Sequence, residues 1–288
     1  MTFRAVLTVL RGGKADAPCL EAAYRMARPF DGHIDALHVR TDPQRYLDFT
    51  GDGMTGDTYA QLIDSLEQEI AENARKARAS FDAWLAEVGA KLVDGPGPSD
   101  RVTASWHEQT GGEERIVGER GRLYDLVVLA SGAVEDGSER LNTIETAIFD
   151  TGRPLLLVSA ACRLTGLDRI AVLWNGSAQA ARAVEAALPV LRHADAVDVM
   201  WVEEDVADDA IQTGVIEYLA WHDIAASAKR LTPDRRFIGE MLLDEATADG
   251  ANLLVMGGYS HSRLREFILG GVTQHMLENG TLPVFVAH

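Results

Sequence analysis

The chain has almost no cysteine. Cys19 and Cys162 are the only two in 288 residues. They lie far apart and outside any CxxC spacing, which excludes a cysteine-rich zinc site and suits a reducing compartment. Positive charge is scarce too: 27 Lys and Arg face 44 Asp and Glu, for a net charge of -17. The deficit is shared, with 17 basic against 26 acidic residues in 1–160 and 10 against 18 in 161–288. Such a surface favours solubility and argues against a nucleic acid or an anionic membrane as partner. No apolar run approaches the roughly 18 residues that a membrane helix needs. The segment Met1 to Leu10 lacks the apolar length and cleavage site of a signal peptide, so a cytoplasmic location is expected.

Catalytic signatures are missing as well. The sequence contains no GxGxxG, GxxxxGK[ST] or HExxH. Ser105, Ser131 and Ser177 have no GxSxG context, which leaves a nucleophilic hydrolase without support. His107-Glu108 and His222-Asp223 do not make a metal-ligand spacing, and no metal site is expected.

What is present is ordinary globular composition, 47% apolar and 25% charged, and an internal repeat. Arg4-Ala5-Val6-Leu7-Thr8-Val9-Leu10 is echoed by Arg169-Ile170-Ala171-Val172-Leu173-Trp174-Asn175. Asp125-Leu126-Val127-Val128-Leu129-Ala130 is echoed by Asn252-Leu253-Leu254-Val255-Met256-Gly257, and Gly152 to Val158 by Gly280 to Val286. These short apolar runs, bounded by Gly, Asp or Pro, read as strands buried on both faces of a parallel sheet. Helical patterns lie between them; Ala180, Ala183, Val184, Ala187 and Leu191 share one face.

Strand–helix alternation predicts an α/β fold of two tandem five-stranded parallel-sheet domains, 1–160 and 161–288. The expected first half is strand 4–10, helix 15–28, strand 33–39, helix 58–88, strand 101–107, helix 112–121, strand 125–130, helix 140–150 and strand 154–158. The second half is strand 169–174, helix 177–192, strand 196–202, helix 209–222, strand 225–230, helix 237–249, strand 252–256, helix 272–279 and strand 283–287. First strands are offset by 165 residues but fourth strands by only 127, which places about 38 extra residues within 41–100 of the first copy. The linker is expected at Ser159 to Leu167. The two copies are expected to face each other across a pseudo-twofold axis through 154–158 and 283–287.

Ligands of open α/β sheets bind beyond the carboxyl ends of the strands, where strand order reverses. In the second half that edge should receive Trp174-Asn175-Gly176-Ser177, Trp201-Val202-Glu203 and the run from Met256 to Thr273. Glycines end a strand there and then open a helix, whose first N–H groups and positive dipole end favour an anion.

The run Val255-Met256-Gly257-Gly258-Tyr259-Ser260-His261-Ser262-Arg263-Leu264-Arg265-Glu266, followed by Leu269-Gly270-Gly271-Val272-Thr273, resembles the C-terminal signature of the universal stress protein family. Through the repeat, the resemblance extends over nearly the whole chain, as in tandem members. It implies a Rossmann-like fold of the adenine nucleotide alpha hydrolase type, a stress-response role, and association as dimers or pseudo-dimers, whether within one chain or as a homodimer. It also implies ATP, with Mg2+, bound at Asn175, Val202, Met256, Gly257, Ser260, His261, Arg263, Gly270, Gly271, Val272 and Thr273, the adenine being held partly by backbone near Val202.

The signature is Gly, two residues, Gly, nine residues, Gly and then Ser or Thr. Gly257 and Gly270 fit it. Ser260 stands in place of the second Gly, Gly271 in place of the hydroxyl residue, and Asn175 in place of an Asp. Taken without the family, the glycines serve as turn residues, and His261 and Arg263 as solvated loop residues.

In the first copy Asn142-Thr143 matches Gly270-Gly271, and Glu145 is expected in the first turn of the following helix, where it would repel a phosphate. No nucleotide is expected in that half. Nothing supplies an evident general base, so any hydrolysis should be slow. The alternative is a nucleotide-free interaction scaffold. An adenylating enzyme of the wider fold is disfavoured, since Arg11-Gly12-Gly13-Lys14 lacks the serine and aspartate of an SGGxDS loop.

Overall fold

A computed structural model describes residues 2–42, 56–131, 138–162, 164–203, 209–258 and 271–288. The first half runs β1 (Ala5–Val9), α1 (Asp16–Ala27), a 3-10 turn (Arg28–Phe30), β2 (His33–Arg40), α2 (Gly56–Val88), β3 (Lys91–Leu92), β4 (Thr103–Thr110), α3 (Glu113–Gly121), β5 (Leu126–Ala130), α4 (Ser138–Asp150) and β6 (Leu155–Val158). The second runs β7 (Arg169–Leu173), α5 (Ala178–Leu191), β8 (Ala196–Val202), α6 (Asp209–Ala220), β9 (Ala226–Leu231), α7 (Ile238–Ala248), β10 (Leu253–Gly257), α8 (Gly271–Asn279) and β11 (Val284–Ala287).

All eleven strands form one sheet, in the order β3-β4-β2-β1-β5-β6-β11-β10-β7-β8-β9. Every neighbouring pair is parallel except β6 with β11, which is antiparallel through Leu155↔Val286, Leu156↔Phe285 and Leu157↔Val284. The halves thus meet through their last strands, as the repeat implied. Each half repeats the order of a doubly wound sheet, and strand direction reverses at the seam. Their carboxyl rims consequently lie on opposite edges of the sheet.

Alternation of side chains divides the interior into two layers that both cross the seam. On one face Val6, Leu10, Ile34, Leu156, Ile170, Val172 and Phe285 pack under α1, α2, α5 and α6. On the other, Leu7, Val9, Leu155, Ala171, Leu254 and Val286 pack under α3, α4, α7 and α8. Phe3 stands at the seam, 5.9 Å from the Phe30 ring and 6.0 Å from that of Phe285, and Phe30 in turn meets His193 of the second half at 5.6 Å. The segment expected as a linker contributes to this core, because Cys162 and Leu164 are both buried.

Much of the extra length of the first half is α2. Its 33 residues span roughly 50 Å at 1.5 Å per residue. Among its described side chains burial begins at Ala74 and continues through Ala77, Phe81 and Trp84. β4 starts two residues later than the pattern predicted. Ser99 takes Arg101 into a local turn instead, its hydroxyl donating to the Arg101 carbonyl at 2.7 Å.

A second layer of repeat is polar. Asp35 is the third residue of β2, and Ser105 opposite it on β4 donates to its carboxylate at 3.0 Å. Asp198 is the third residue of β8, and Ser227 opposite it on β9 does the same. At the strand entrances Asp125 accepts from the Arg4 and Ala5 amides at 2.9 Å each, and Asn252 accepts from the Arg169 amide at 2.8 Å. These side chains give partners to strand-end amides and to the Ser105 and Ser227 hydroxyls.

Asp35 also receives Arg120 at 2.8 Å and the Tyr124 hydroxyl, whose pKa is pushed up to about 12 by burial and by that bond. His33 lies against the same group. Ser105 spends its hydrogen on Asp35, so His33 Nε2 must donate to Ser105 at 3.0 Å and Nδ1 accept from Thr103 at 2.9 Å.

Two expectations follow. Phe285→Ala should remove about 3–5 kcal/mol from the seam, seen as a lower denaturant midpoint with both halves unfolding together. Burial holds the His33 imidazole below its ordinary 6.5, so on acidification the unfolded chain takes up this proton first. Stability is then fully present above pH 6.5 and falls as the pH drops from there toward the folded pKa. His33→Gln should flatten that dependence between pH 7 and 5; an unchanged slope would remove His33 as its source.

Candidate functional site

The rim of the second half is assembled from three strand ends. After β7, Trp174 donates its amide to the Met200 carbonyl at 2.8 Å, and the chain turns at Gly176, whose φ is +72°. The Asn175 carboxamide oxygen accepts from the Ser177 amide at 3.1 Å and the Ser177 hydroxyl at 2.7 Å. Ser177 in turn caps α5 by accepting from the Ala180 amide at 3.1 Å. Asn175 therefore shapes the turn, with its acceptor already used.

β8 continues beyond β7. The register of the pair ends at Leu173↔Met200. Since the Glu203 amide points outward to Leu231 of β9, the alternation of a strand turns the N–H and C=O of Val202 toward the β7 side, above the end of that strand. Backbone polar groups thus reach the crevice where sequence reasoning placed an adenine edge.

β10 ends at Met256 and Gly257. Met256 is buried in the sheet, between Leu173 and Val286. Gly257 abuts the first turn of α5 so closely that a Cβ would fall 2.4 Å from the Ala180 nitrogen. Gly258 donates to the Ala287 carbonyl at 2.8 Å, and a Cβ there would lie 2.8 Å from Val286. The glycines at this strand end are thus demanded by packing. They also leave the rim without side chains at the point where helix and sheet converge.

α8 is described from Gly271, and Gly271, Val272 and Thr273 are its first described residues. A Cβ on Gly271 would meet the Phe237 ring at 3.0 Å. Val272 is half-buried and Thr273 is 4% exposed, so the Thr273 side chain is turned inward. Ser260, His261, Arg263 and Gly270 lie outside the described residues.

The corresponding rim of the first half is closed by its own side chains. The Asp16 carboxylate accepts from the Arg11 amide at 3.0 Å and the Gly12 amide at 2.8 Å. Burial raises the Asp16 pKa, and these amides pull it back. Arg11 is tied to Glu113 in the first turn of α3 through Nε at 2.9 Å and through Nη2. Above them lies α2: Gly12 has φ +78°, and a Cβ on it would sit 2.4 Å from the Asn73 carbonyl oxygen.

Glu145, expected in a first turn, is corrected by this arrangement. α4 begins at Ser138, two turns earlier, and Glu145 is an exposed residue of its interior. The carboxylate that occupies the anion-binding amides is Asp16. It sits five residues after Arg11 in sequence, and a carboxylate at that distance from a glycine pair was the available signal.

Residues 166–288 match the model of the universal stress protein family. A comparison with curated protein sequences gives no match. Among solved structures, a universal stress protein from Archaeoglobus fulgidus DSM 4304 is 16% identical with a TM-score of 0.63, covering 100% of this chain and 99% of its own. A functionally unknown protein from Pseudomonas aeruginosa PAO1 is 13% identical with a TM-score of 0.58, covering 99% of this chain and 92% of its own. A putative universal stress protein from Pseudomonas aeruginosa UCBPP-PA14 is 14% identical with a TM-score of 0.57, covering 99% and 93%. At those identities the likeness is one of fold, and it spans both halves. No helix among the described residues is long and apolar enough to cross a membrane.

The close approach at Gly257 carries a prediction. Gly257→Ala forces a methyl group against α5 backbone and should cost about 1–3 kcal/mol of stability, read from denaturant unfolding without ligand. An unaltered midpoint would show that this glycine has no packing role.

Proposed function

With a universal stress protein domain at 166–288 in a chain that shares the fold throughout, we propose that this is a stress-response protein binding one adenine nucleotide at the rim of its second half. The observation that carries the reading is the contrast between the two rims. In the first, Asp16 supplies the anion that the loop amides require. In the second, the turn after β7 is built by the uncharged Asn175 and the strand end by Gly257 and Gly258, and a phosphate would supply the anion to a helix opening near Gly271.

The residues present fit such a ligand. Phosphate oxygens would be held by the amides of Gly271, Val272 and Thr273, aided by the dipole of α8 and by Gly270, Ser260, His261 and Arg263 of the preceding segment. The backbone of Val202 would take the adenine edge, with Met256 at the base of the crevice. Asn175 would donate its amide hydrogens to a ribose hydroxyl, where the family's ATP-binding members carry an Asp. Bound ATP would bring a transferable phosphoryl group. At the described strand end His288 is engaged through Nδ1 with the Gly258 carbonyl at 3.1 Å, and the reading is of a binder more than a catalyst. A soluble cytoplasmic setting, and pairing of two chains beyond the internal pseudo-dimer, belong to the same reading.

A nucleotide-free scaffold is the second reading. It is favoured by the engagement of the Asn175 oxygen with Ser177 and by the inward Thr273 side chain, since both groups are then less available to a ligand. A thermal melt in ATP and magnesium separates the two. Ligand at 100 times its dissociation constant should stabilise the chain by about 2.7 kcal/mol, and Gly270→Glu should abolish the shift without altering the melt of the free protein. A melt unmoved by millimolar ATP favours the scaffold.

A further inference from the structure

Trp174 follows β7 and rests, half-buried, on the core beneath α5. Beside it a cleft of about 400 Å³ opens between α5 and α6, lined chiefly by Trp174, Arg182, Val184, Glu185, Val215 and Tyr218. Its volume falls in the roughly 300–1,000 Å³ range of small-molecule sites. The floor is apolar, with Val184 2% and Val215 4% exposed, and the aromatic side chains of Trp174 and Tyr218 contribute to its walls.

The same layer of the first half is closed. There α2 lies directly on α1, with its Trp84 ring edge-on to Tyr24 at 6.3 Å and its Asn73 carbonyl over Gly12. No described element of the second half takes the place of that long helix.

Gly214 also lines the cleft, from inside α6. Apart from proline, glycine is the least favourable residue in a helix interior, and neither usual reason for one applies here. Its φ is not positive, and a Cβ built on it would meet no described atom within 4 Å. The glycine is therefore not required by the fold around it; what it does is keep the cleft wide.

Two exposed side chains of opposite charge, Glu185 and Arg182, stand at the mouth. Glu185 lies beside the Tyr218 phenol, whose pKa burial and that carboxylate raise together. Arg182, exposed on the next turn of α5, has no ion pair or hydrogen bond among the described residues. An open guanidinium at an aromatic slot, in a chain of net charge -17, selects for an anion against the general field of the protein.

We propose that this cleft is a second ligand site, independent of the nucleotide rim. It takes a flat aromatic molecule bearing a carboxylate or sulfonate, the ring lying between Trp174 and Tyr218 over Val184 and Val215, the anionic group on Arg182.

Isothermal titration of the full chain with naphthalene-2-carboxylate, naphthalene-2-methanol and naphthalene-2-methanamine tests it, since the three share a ring and differ in charge. The carboxylate should bind in the millimolar range or tighter. It should bind about threefold to fivefold better than the alcohol, the worth of one exposed ion pair, with the amine weakest. Gly214→Leu fills the cleft with a better helix former; it should abolish binding while the melting midpoint holds or rises. Arg182→Gln should erase the preference for the carboxylate and spare the alcohol. No binding of the carboxylate, full binding in a folded Gly214→Leu variant, or tightest binding of the amine would each overturn the proposal. Saturating ATP and Gly270→Glu should leave these titrations unchanged, so failure at the nucleotide rim does not imitate failure here; displacement by ATP would place the ligand at the rim instead and refute the cleft.

Discussion

The antiparallel pairing of β6 with β11 is the constraint on which the molecule is built. Within either half the strands are parallel, and a parallel sheet must be covered on both faces. Each half ends in a strand with one free edge, apolar on both sides, and joining these edges removes both at once. Leu156 and Phe285 meet at the centre of the seam, and Phe3, Phe30 and His193 close over it. The two cores become two continuous layers. The seam also fixes where function can be. It sends the carboxyl rims to opposite edges of the sheet, where the two crevices can evolve separately.

They have done so. The first rim is satisfied from within: Asp16 takes the loop amides, Arg11 and Glu113 neutralise each other, and α2 is laid across Gly12. An anion entering there would have to displace a carboxylate and lift a helix. The second rim has the same skeleton, but its loop turn is built by an uncharged Asn175, and a cleft lies by Trp174. Buried Asp–Ser pairs at matching places in both sheets show how little of the scaffold changed while the rims diverged.

Much of this was legible in the sequence. Ten of the strands and the order of the helices followed from apolar runs of fixed length between Gly, Asp and Pro, because such runs have few places to go other than a doubly covered sheet. The seam followed from the match between Gly152 to Val158 and Gly280 to Val286. β3 escaped because two exposed residues, Lys91 and Leu92, carry no periodicity. Glu145 was misplaced because Asn142-Thr143 was matched to Gly270-Gly271, whereas the helix already runs through Ser138. The role of Gly257 in helix packing and the apparent idleness of Gly214 could not be read at all, since a glycine announces what it permits only when its neighbours in space are known. Trp174, placed by the sequence at the carboxyl edge, packs on the core and walls the cleft.

The asymmetry of the two rims is the central claim, and the stoichiometry of nucleotide binding tests it most directly. Equilibrium dialysis of the full chain against ATP and magnesium should saturate at one nucleotide per chain. Two per chain would mean that Asp16 does not close the first rim, and none at millimolar ATP would mean that the amides at the start of α8 do not serve as an anion site.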